Sequence, residues 1–236
     1  MQEVLFKDLG QAEYKQVWDY QESLLQDNVR IKTEARMAED PHPATTNHLL
    51  FVEHPPVYTL GKSGHMENLL IDEYSMQEKG IQFFRINRGG DITFHGPGQI
   101  VGYPILDLER FYTDIGKYLR NLEEVIILTL RTYGIQGDRS PGETGVWIDP
   151  GVSGRERKIC AIGVRCSRWV TMHGFAFNVN TDLDYFGNII PCGIQDKQVT
   201  SLEKELGRQV PLEEVKAEVR RRFEEVFDVA LRTLSE

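Results

Sequence analysis

Short apolar runs typical of β-strands fall into two clusters along this chain, one on each side of a central helical pattern. The first cluster comprises residues 48–53, 57–60 and 81–87 and a strand that ends near Asp107; the second comprises residues 145–148, 159–165 and 174–179. Helical patterns cover residues 11–38 and 114–133 and begin again at Pro211. Because the strands cluster instead of alternating strictly with helices, this order predicts an α+β fold with a mixed or mostly antiparallel β-sheet and flanking helices.

Helix-end signals support two of the predicted helices. Asp114 precedes the central pattern and Gly134 follows it, at the positions where an acidic residue and a left-handed residue are favoured. The stretch Thr200-Ser201-Leu202-Glu203 has the form of a capping box and predicts a further short helix. With 236 residues, of which 40% are hydrophobic, the chain is predicted to form one domain, residues 1–236.

Composition excludes several classes of protein. The net charge of −9 argues against a broad nucleic-acid interface, and no apolar run is long enough to span a membrane. The N-terminal residues lack the pattern of a signal peptide, and three cysteines form no even disulfide framework, so we expect a soluble protein in a reducing cytoplasm. One local exception is a basic island, residues 155–168, with a net charge of +4, which is either a solvated strand edge or a docking patch for an acidic partner.

Several common site motifs are absent. The six histidines form no HExxH motif and no zinc-ligand spacing with cysteine, so we expect no metal site. Gly61-Lys62-Ser63 resembles the end of a phosphate-binding loop, but Pro56 stands where the first glycine of that motif belongs. No GxSxG or GxGxxG motif is present, so neither a hydrolase serine nor a dinucleotide site is indicated.

The richest segment for binding is RGGDITFHGPGQ, residues 88–99. Its four glycines allow the backbone to approach a ligand closely and to offer N–H groups to it. A plain pair of glycine-rich turns would also explain the glycines. The hydrogen-bonding side chains of the same segment, Arg88, Thr93, His95 and Gln99, favour the binding interpretation.

Cys192 is the cysteine best suited to catalysis. Proline before it and glycine after it break regular pairing, whereas Cys160 and Cys166 lie in or beside strand-like sequence and fit buried packing. A nucleophilic cysteine needs its thiolate form, so a nearby cation is required. Lys158 is a candidate for that cation, and His95 and His173 are alternative bases that sequence spacing alone does not separate.

The order and spacing of six strings resemble the lipoyl(octanoyl) transferases, the octanoyltransferase family that acts between acyl carrier protein and lipoyl domains. These strings are EHPPVYTLG (53–61), RGGDITFHGPGQIVGYPILDL (88–108), GVWI (145–148), KICAIGVR (158–165), HGFAFNV (173–179) and IIPCGI (189–194). The resemblance implies the catalytic-domain fold of the biotin/lipoate protein ligases over residues 44–230, preceded by an N-terminal helix at 11–38. The terminal helices themselves carry no motif.

The resemblance also implies the site residues. Cys192 would be the acyl-thioester nucleophile, and Lys158 would lower its pKa. Substrate contacts would come from three short stretches: Arg88, Gly89, Gly90, Asp91, Ile92, Thr93, Phe94 and His95; Ala161, Ile162 and Gly163; and Gly174, Phe175 and Ala176. Phe94 stands where relatives often have tyrosine, so any hydrogen bond from that phenol is absent here.

The implied reaction transfers an octanoyl group from octanoyl-acyl carrier protein, through a cysteine thioester, to a lysine of a lipoyl domain. The implied acceptors are the E2 subunits of 2-oxoacid dehydrogenases and the glycine cleavage H protein, and no cofactor is implied. The alternatives are an ATP-dependent lipoate or octanoate ligase, which needs no cysteine, an amidotransferase between lipoyl-domain proteins, and an inactive lipoyl-domain binding module. The presence of both Lys158 and Cys192 favours the carrier-dependent transferase.

Overall fold

The structure is a computed structural model, and it describes residues 2–40, 43–190 and 198–234. Five α-helices occur in these ranges: α1 (Tyr14–Met37), α2 (Glu73–Glu78), α3 (Ile115–Thr132), α4 (Leu202–Leu206) and α5 (Leu212–Phe227). The strands in the same ranges are β1 (Gln2–Gln11), β2 (His48–Glu53), β3 (Val57–Leu60), β4 (Gln82–Arg85), β5 (Ile92–His95), β6 (Gln99–Ile105), β7 (Gly137–Asp138), β8 (Val146–Ile148), β9 (Arg157–Ser167), β10 (Val170–Asn178), β11 (Gln198–Val199) and β12 (Val229–Thr233). The predicted α+β class is confirmed.

A large mixed sheet forms the centre of the fold. Its strand order in the described residues is β12-β1-β2-β6-β10-β9-β8-β7, and β11 pairs with the start of β9. The pairs of β1 with β12 and with β2 are parallel, whereas β2, β6, β10, β9, β8 and β7 follow one another antiparallel. The sheet is therefore mixed, as the clustering of strands in the sequence predicts.

Helices α3 and α5 cover one face of this sheet, and α1 covers part of the other face. Alternate residues of β2 show the two cores: Leu49 and Phe51 pack in the cluster with α3 and α5, and Leu50 and Val52 pack in the cluster with α1. All four side chains are fully buried. Their burial explains why the sequence of β2 reads as a continuous apolar run, because a strand covered on both faces has no solvent side.

A second, smaller sheet lies on the α1 side. It has the order β4-β3-β5, with β3 parallel to β4 and antiparallel to β5. Tyr14 at the start of α1 packs with Val57 of β3 and with Ile86, which joins this sheet to α1. The small sheet presents the segment after β4, which contains the glycines of RGGDITFH, to the large sheet, since Gly89 N–H donates to the Val164 carbonyl of β9.

The local signals locate most elements well. Asp114 caps α3 by accepting a hydrogen bond from the Lys117 N–H, and Ser201 caps α4 in the same way through Lys204. Strands β1 and β12 and helix α2 are additional to the predicted elements, and residues 92–95, predicted as part of a loop, form β5. Among the described residues, no helix is long and apolar enough to cross a membrane.

Candidate active site

A cavity of about 430 Å³ lies between the large sheet and the glycine-rich segment of the small sheet. Strands β6, β9 and β10 form one side, and residues 88–95 form the other. The two sides meet closely, because a Cβ placed on Gly163 of β9 would lie 3.0 Å from the Gly89 carbonyl oxygen and 3.1 Å from Cδ of Arg88. Glycine at this position thus permits the approach that closes the cavity.

Most of the residues singled out in the sequence surround this cavity. Those that line it are Arg88, Gly89, Gly90, Asp91, Ile92, Thr93, His95, Lys158, Ala161, Ile162, Gly163, Gly174, Phe175 and Ala176. Phe94 differs, because it is not among the lining residues, and its expected substrate contact stays a prediction. It alternates with Thr93 and His95 along β5, so its ring points into the core of the small sheet, stacked 4.6 Å from the Tyr185 ring.

Arg88 fastens the glycine-rich segment to β3. Its Nη2 donates to the Thr59 carbonyl oxygen at 2.7 Å and to Thr59 Oγ1 at 3.0 Å, and its Nη1 donates to the Gly89 carbonyl oxygen at 2.9 Å. Hydrogen bonds from a charged donor to backbone acceptors are stronger than neutral ones. The guanidinium therefore holds the cavity wall in addition to lining it.

Three buried histidines stand around Arg88 and Tyr103. His54 Nδ1–H donates to the Ala12 carbonyl oxygen at 2.8 Å, which leaves Nε2 to accept the Tyr103 hydroxyl at 2.8 Å. Burial lowers the pKa of His54 to about 4. Burial, aided by neighbouring positive charge, lowers the pKa values of His95 and His173 to about 3. All three imidazoles are therefore neutral at neutral pH.

A chain of hydrogen bonds fixes His95. Its Nδ1–H donates to Gln99 Oε1 at 2.9 Å, while Gln99 Nε2 donates to Asn178 Oδ1 at 2.9 Å. Asn178 in turn donates to the Thr200 carbonyl oxygen. Nε2 of His95 is thus an acceptor atom in a cavity-lining residue.

Lys158 lies near the start of β9, beside β8 and β11. Its Nζ lies 4.5 Å from the centroid of the Trp147 ring, and the Thr200 N–H donates to its carbonyl oxygen. The side chain also passes Gly145, where a Cβ would lie 3.5 Å from Lys158 Cε. The lysine is thus placed at the cavity by contacts from two neighbouring strands and one loop.

Two of the three cysteines are unsuited to nucleophilic chemistry. Cys160 is fully buried in the core beside α3, and burial raises its thiol pKa strongly. Cys166 is exposed, although partial burial also raises the pKa of its thiol. It is absent from the cavity lining. Cys192 falls in residues 191–197, outside the described residues. Phe186, which precedes this segment in the chain, and Val199, which follows it, both line the cavity.

Three other residues line the cavity although the sequence analysis did not single them out as site residues. Tyr103 and Asn178 lie within two of the quoted strings, whereas Tyr14 reads as an apolar position of the first helix. The signal that could have found β5 is the alternation in Ile92-Thr93-Phe94-His95, which places Thr93 and His95 on one face. In the described residues, no group of three or more His, Cys, Asp or Glu side chains is arranged to hold a metal ion.

Two arginines of the basic island are paired within the protein, while the interpretation of the island as a docking patch stays a prediction. Arg157 makes a bidentate contact with Glu205, at 2.6 and 2.7 Å, and a third contact with Asp149. Arg165 pairs with Glu22 of α1 at 2.6 Å. These two guanidinium groups connect elements of the fold to one another.

The Arg157 contact yields a prediction about stability. Replacing Arg157 with glutamine should lower the free energy of unfolding by about 1–3 kcal/mol, because Glu205, whose side chain is only 13% exposed, loses its charged donor. Arg157 holds the pKa of Glu205 below its usual range, so this stability is present above the unfolded pKa and is lost as the pH falls through the folded one. Denaturant unfolding at neutral pH and below about pH 4 measures both effects.

Arg155→Gln is the matched control for this prediction. Arg155 also contacts Asp149, but its side chain is 69% exposed, so the change should stay within about 0.5 kcal/mol. Equal small effects of the two substitutions would show that Arg157 does not stabilise the fold.

Comparison with known proteins places this site in a family. Residues 13–224 match the family described as the lipoyl protein ligase A/B catalytic domain. The octanoyltransferase of Christiangramia forsetii is 59% identical over 231 residues, which is 98% of this chain and 98% of that one. The octanoyltransferase of Flavobacterium psychrophilum is 61% identical over 226 residues, 95% of this chain and 97% of that one.

Solved structures agree on the fold. The bi-partite lipoate protein ligase of Thermoplasma acidophilum superimposes with a TM-score of 0.70 at 21% identity, covering 100% of this chain and 88% of that one. A lipoate-protein ligase A bound with ATP gives a TM-score of 0.70 at 18% identity, covering 100% and 90%. These likenesses confirm the predicted ligase-like fold.

The chain belongs to the lipoyl protein ligase A/B catalytic domain family. Within that family its relatives at 59% and 61% identity are octanoyltransferases, so the chain is an acyltransferase of the octanoyltransferase group, which acts in protein lipoylation.

Proposed function

We propose that this enzyme takes the octanoyl group from octanoyl-acyl carrier protein onto Cys192 and passes it to a lysine of a lipoyl domain. The observation that carries the proposal is the cavity, whose lining includes Lys158 together with Phe186 and Val199, which precede and follow residues 191–197 in the chain. We propose as acceptors the E2 subunits of 2-oxoacid dehydrogenases and the glycine cleavage H protein, and as location the cytoplasm. Residues 1–236 would act as one domain.

The proposed chemistry has two acyl transfers. In the first, the Cys192 thiolate attacks the thioester carbonyl carbon, the new carbon–sulfur bond forms, and the carrier's pantetheine sulfur leaves as a thiolate that takes up a proton. In the second, the neutral amine of the acceptor lysine attacks the enzyme thioester, an amide bond forms, the Cys192 sulfur leaves, and the nitrogen gives up one proton. A thioester is exchanged for a thioester and then for a more stable amide, so neither step requires ATP.

Lys158 serves both transfers in this proposal. As a cation it stabilises the thiolate, and as a neutral amine it accepts the proton of the attacking lysine. His95 and His173 are weaker candidates for the second task. With pKa values of about 3, they hold a proton far less tightly than the amine that must lose one.

The cavity surface suits an acyl chain. Ala161 and Ala176 are directly paired across β9 and β10, and two residues further along the strands Gly163 pairs with Gly174. Small side chains leave room for a substrate above the sheet, and Val101 and Phe175 add apolar surface to the lining. Burial of each methylene in such surroundings contributes about 0.8 kcal/mol.

A larger side chain at Ala161 should therefore shift the preferred chain length. Replacing Ala161 with leucine adds three carbon atoms to the lining, so the ratio of octanoyl to hexanoyl transfer should fall about tenfold, equivalent to losing nearly two methylenes of burial. Competition between the two loaded carriers, followed by mass spectrometry of the enzyme, measures this ratio. Ala217→Leu on the exposed side of α5 is the control, and an unchanged ratio in the Ala161 variant would remove Ala161 from the acyl-binding surface.

The first test of the proposed function is intact-protein mass spectrometry. The enzyme is mixed with octanoyl-loaded acyl carrier protein in the absence of ATP, and in parallel with free octanoate and ATP. An octanoyl adduct that hydroxylamine removes, formed from the carrier alone, is the expected result. Transfer to a lipoyl domain that needs ATP and free octanoate would instead make the protein a ligase.

A further inference from the structure

A buried carboxylate on α3 lies behind Lys158. Glu123 is fully buried, and its Oε1 accepts the Gly145 N–H at 3.0 Å. Its Oε2 accepts a hydrogen bond from Arg139 Nε at 3.0 Å and forms an ion pair with Arg120 Nη1 at 2.8 Å. Both oxygens of this carboxylate are thus engaged, one by the loop before β8 and the other by two arginines.

Gly145 adopts a conformation and a packing that only glycine tolerates. Its φ is +125°, and a Cβ would lie 2.6 Å from the Cys160 carbonyl oxygen. The same Cβ position is 3.5 Å from Cε and 3.6 Å from Cδ of Lys158, so the lysine side chain runs past the side of Gly145 where a Cβ would stand. Residues 142–144, just before it, line the cavity.

Lys158 thus lies between two supports. Its methylenes pass the side of Gly145 where a Cβ would stand, and the Trp147 ring lies 4.5 Å from its Nζ. The Glu123 carboxylate holds the N–H of the glycine beside which these methylenes run. The loop from Arg139 to Gly145 is fixed to α3 at both of its ends through this one side chain.

We propose that Glu123 is a positioning residue for Lys158, acting through the Gly145 N–H to set where the lysine amine stands in the cavity. This inference rests on the proposed function, in which that amine stabilises a thiolate and then accepts a proton. Among the described residues, the charged groups around the site are Glu123, Arg120 and Arg139 on the α3 side, Glu143 in the loop, Arg88 and Asp91 on the opposite wall of the cavity, and Lys158 itself. Strand β8 is apolar, and β11 contributes Gln198 and Val199.

Glu123→Gln disturbs the contact that the proposal requires. If the amide oxygen remains on Gly145, its NH₂ group faces two arginines; if it turns to the arginines, the NH₂ group faces the Gly145 N–H. Glu123→Asp keeps the negative charge that pairs with the arginines, but its carboxylate is one methylene shorter and so lies further from the Gly145 N–H. Glu124→Gln is the matched control, because Glu124 also pairs with Arg139, at 2.6 Å, and is neither bonded to Gly145 nor in the cavity lining.

The experiment measures the rate of octanoyl-enzyme formation from the loaded carrier between about pH 6 and 10, together with thermal unfolding. For Glu123→Gln we expect a rate about tenfold lower at neutral pH that recovers at high pH, equivalent to one unit of displacement in the pH profile. The KM for the carrier should stay unchanged. Glu123→Asp should show a smaller displacement in the same direction, and Glu124→Gln should follow the wild-type profile.

A purely structural role would give a different result. It would lower the rate by the same factor at every pH, in proportion to lost stability, and either that result or an unchanged profile would overturn the inference. Should Glu123→Gln fail to fold, the Glu123→Asp profile decides by the same criterion. A wild-type enzyme that forms no octanoyl adduct would reject the proposed function itself, which separates the two failures.

Discussion

Replacing Cys192 with serine should abolish the octanoyl-enzyme and reduce octanoyl transfer by a factor of at least about 1,000, while the protein stays folded. A serine hydroxyl is a far weaker nucleophile than a thiolate, and Lys158 cannot ionise it at neutral pH. Substitution of one oxygen for sulfur changes little in size. Intact-protein mass spectrometry after mixing with the loaded carrier, combined with circular dichroism, measures both expectations.

The other two cysteines provide internal controls. Cys160→Ser and Cys166→Ser should both retain the adduct, since Cys160 is buried in the α3 core and Cys166 is outside the cavity lining. The Cys160 variant should lose some stability, because a hydroxyl replaces a buried apolar thiol. Loss of the adduct in either control, with its retention in Cys192→Ser, would transfer the nucleophile assignment to another cysteine.

Replacing Lys158 with arginine should separate the two halves of the reaction. A guanidinium keeps a positive charge and can lie against the Trp147 ring, so octanoyl-enzyme should still form. It cannot act as a base, however, so transfer to the lipoyl-domain lysine should slow by a factor of about 100 to 10,000. Rapid-quench kinetics of the two steps, with the acylated enzyme isolated between them, measures the separation.

The neutral histidines make this prediction sharper. Because the pKa values of His95 and His173 are about 3, neither should replace the lysine as base, and the pH profile of the variant should show no histidine inflection between about 6 and 7. Lys204→Arg, on the helix that follows the site, is the control and should change neither step. Transfer at the wild-type rate in Lys158→Arg would show that another group accepts the proton.

Local sequence signals were sufficient to predict an element where residues adjacent in the chain determine its structure. Asp114 and Gly134 mark α3 to within a residue at each end, because a cap and a left-handed residue act on the adjacent backbone. Strand β1 escaped prediction for the opposite reason. Its buried residues Val4 and Phe6 flank the apolar Leu5 and do not alternate with polar residues, and the place of β1 in the sheet comes from pairing with residues 229–233.

Local sequence signals likewise located some residues of the site and missed others. Glycine-rich segments with polar side chains, such as residues 88–95, lie around the cavity. They were recognisable in the sequence because a close approach of two backbones requires glycine. No sequence pattern marked Tyr14 or Glu123 as a residue of the site. Glu123 and Glu124 are adjacent acidic residues of one helix, and only the tertiary structure makes the first fully buried and leaves the second 32% exposed.

The parallel pairing of β1 with β12 has a consequence for how the protein is made. Residues 2–6 of the first strand pair with residues 229–233 of the last, so the outer neighbour of β1 emerges from the ribosome after nearly every other element. Until then β1 presents unpaired N–H and C=O groups along its outer side, an arrangement that other nascent chains can extend. We expect the late arrival of β12, carried by α5, to be the step that ends the exposure of β1 and leaves the short strand β12 as the edge of the sheet.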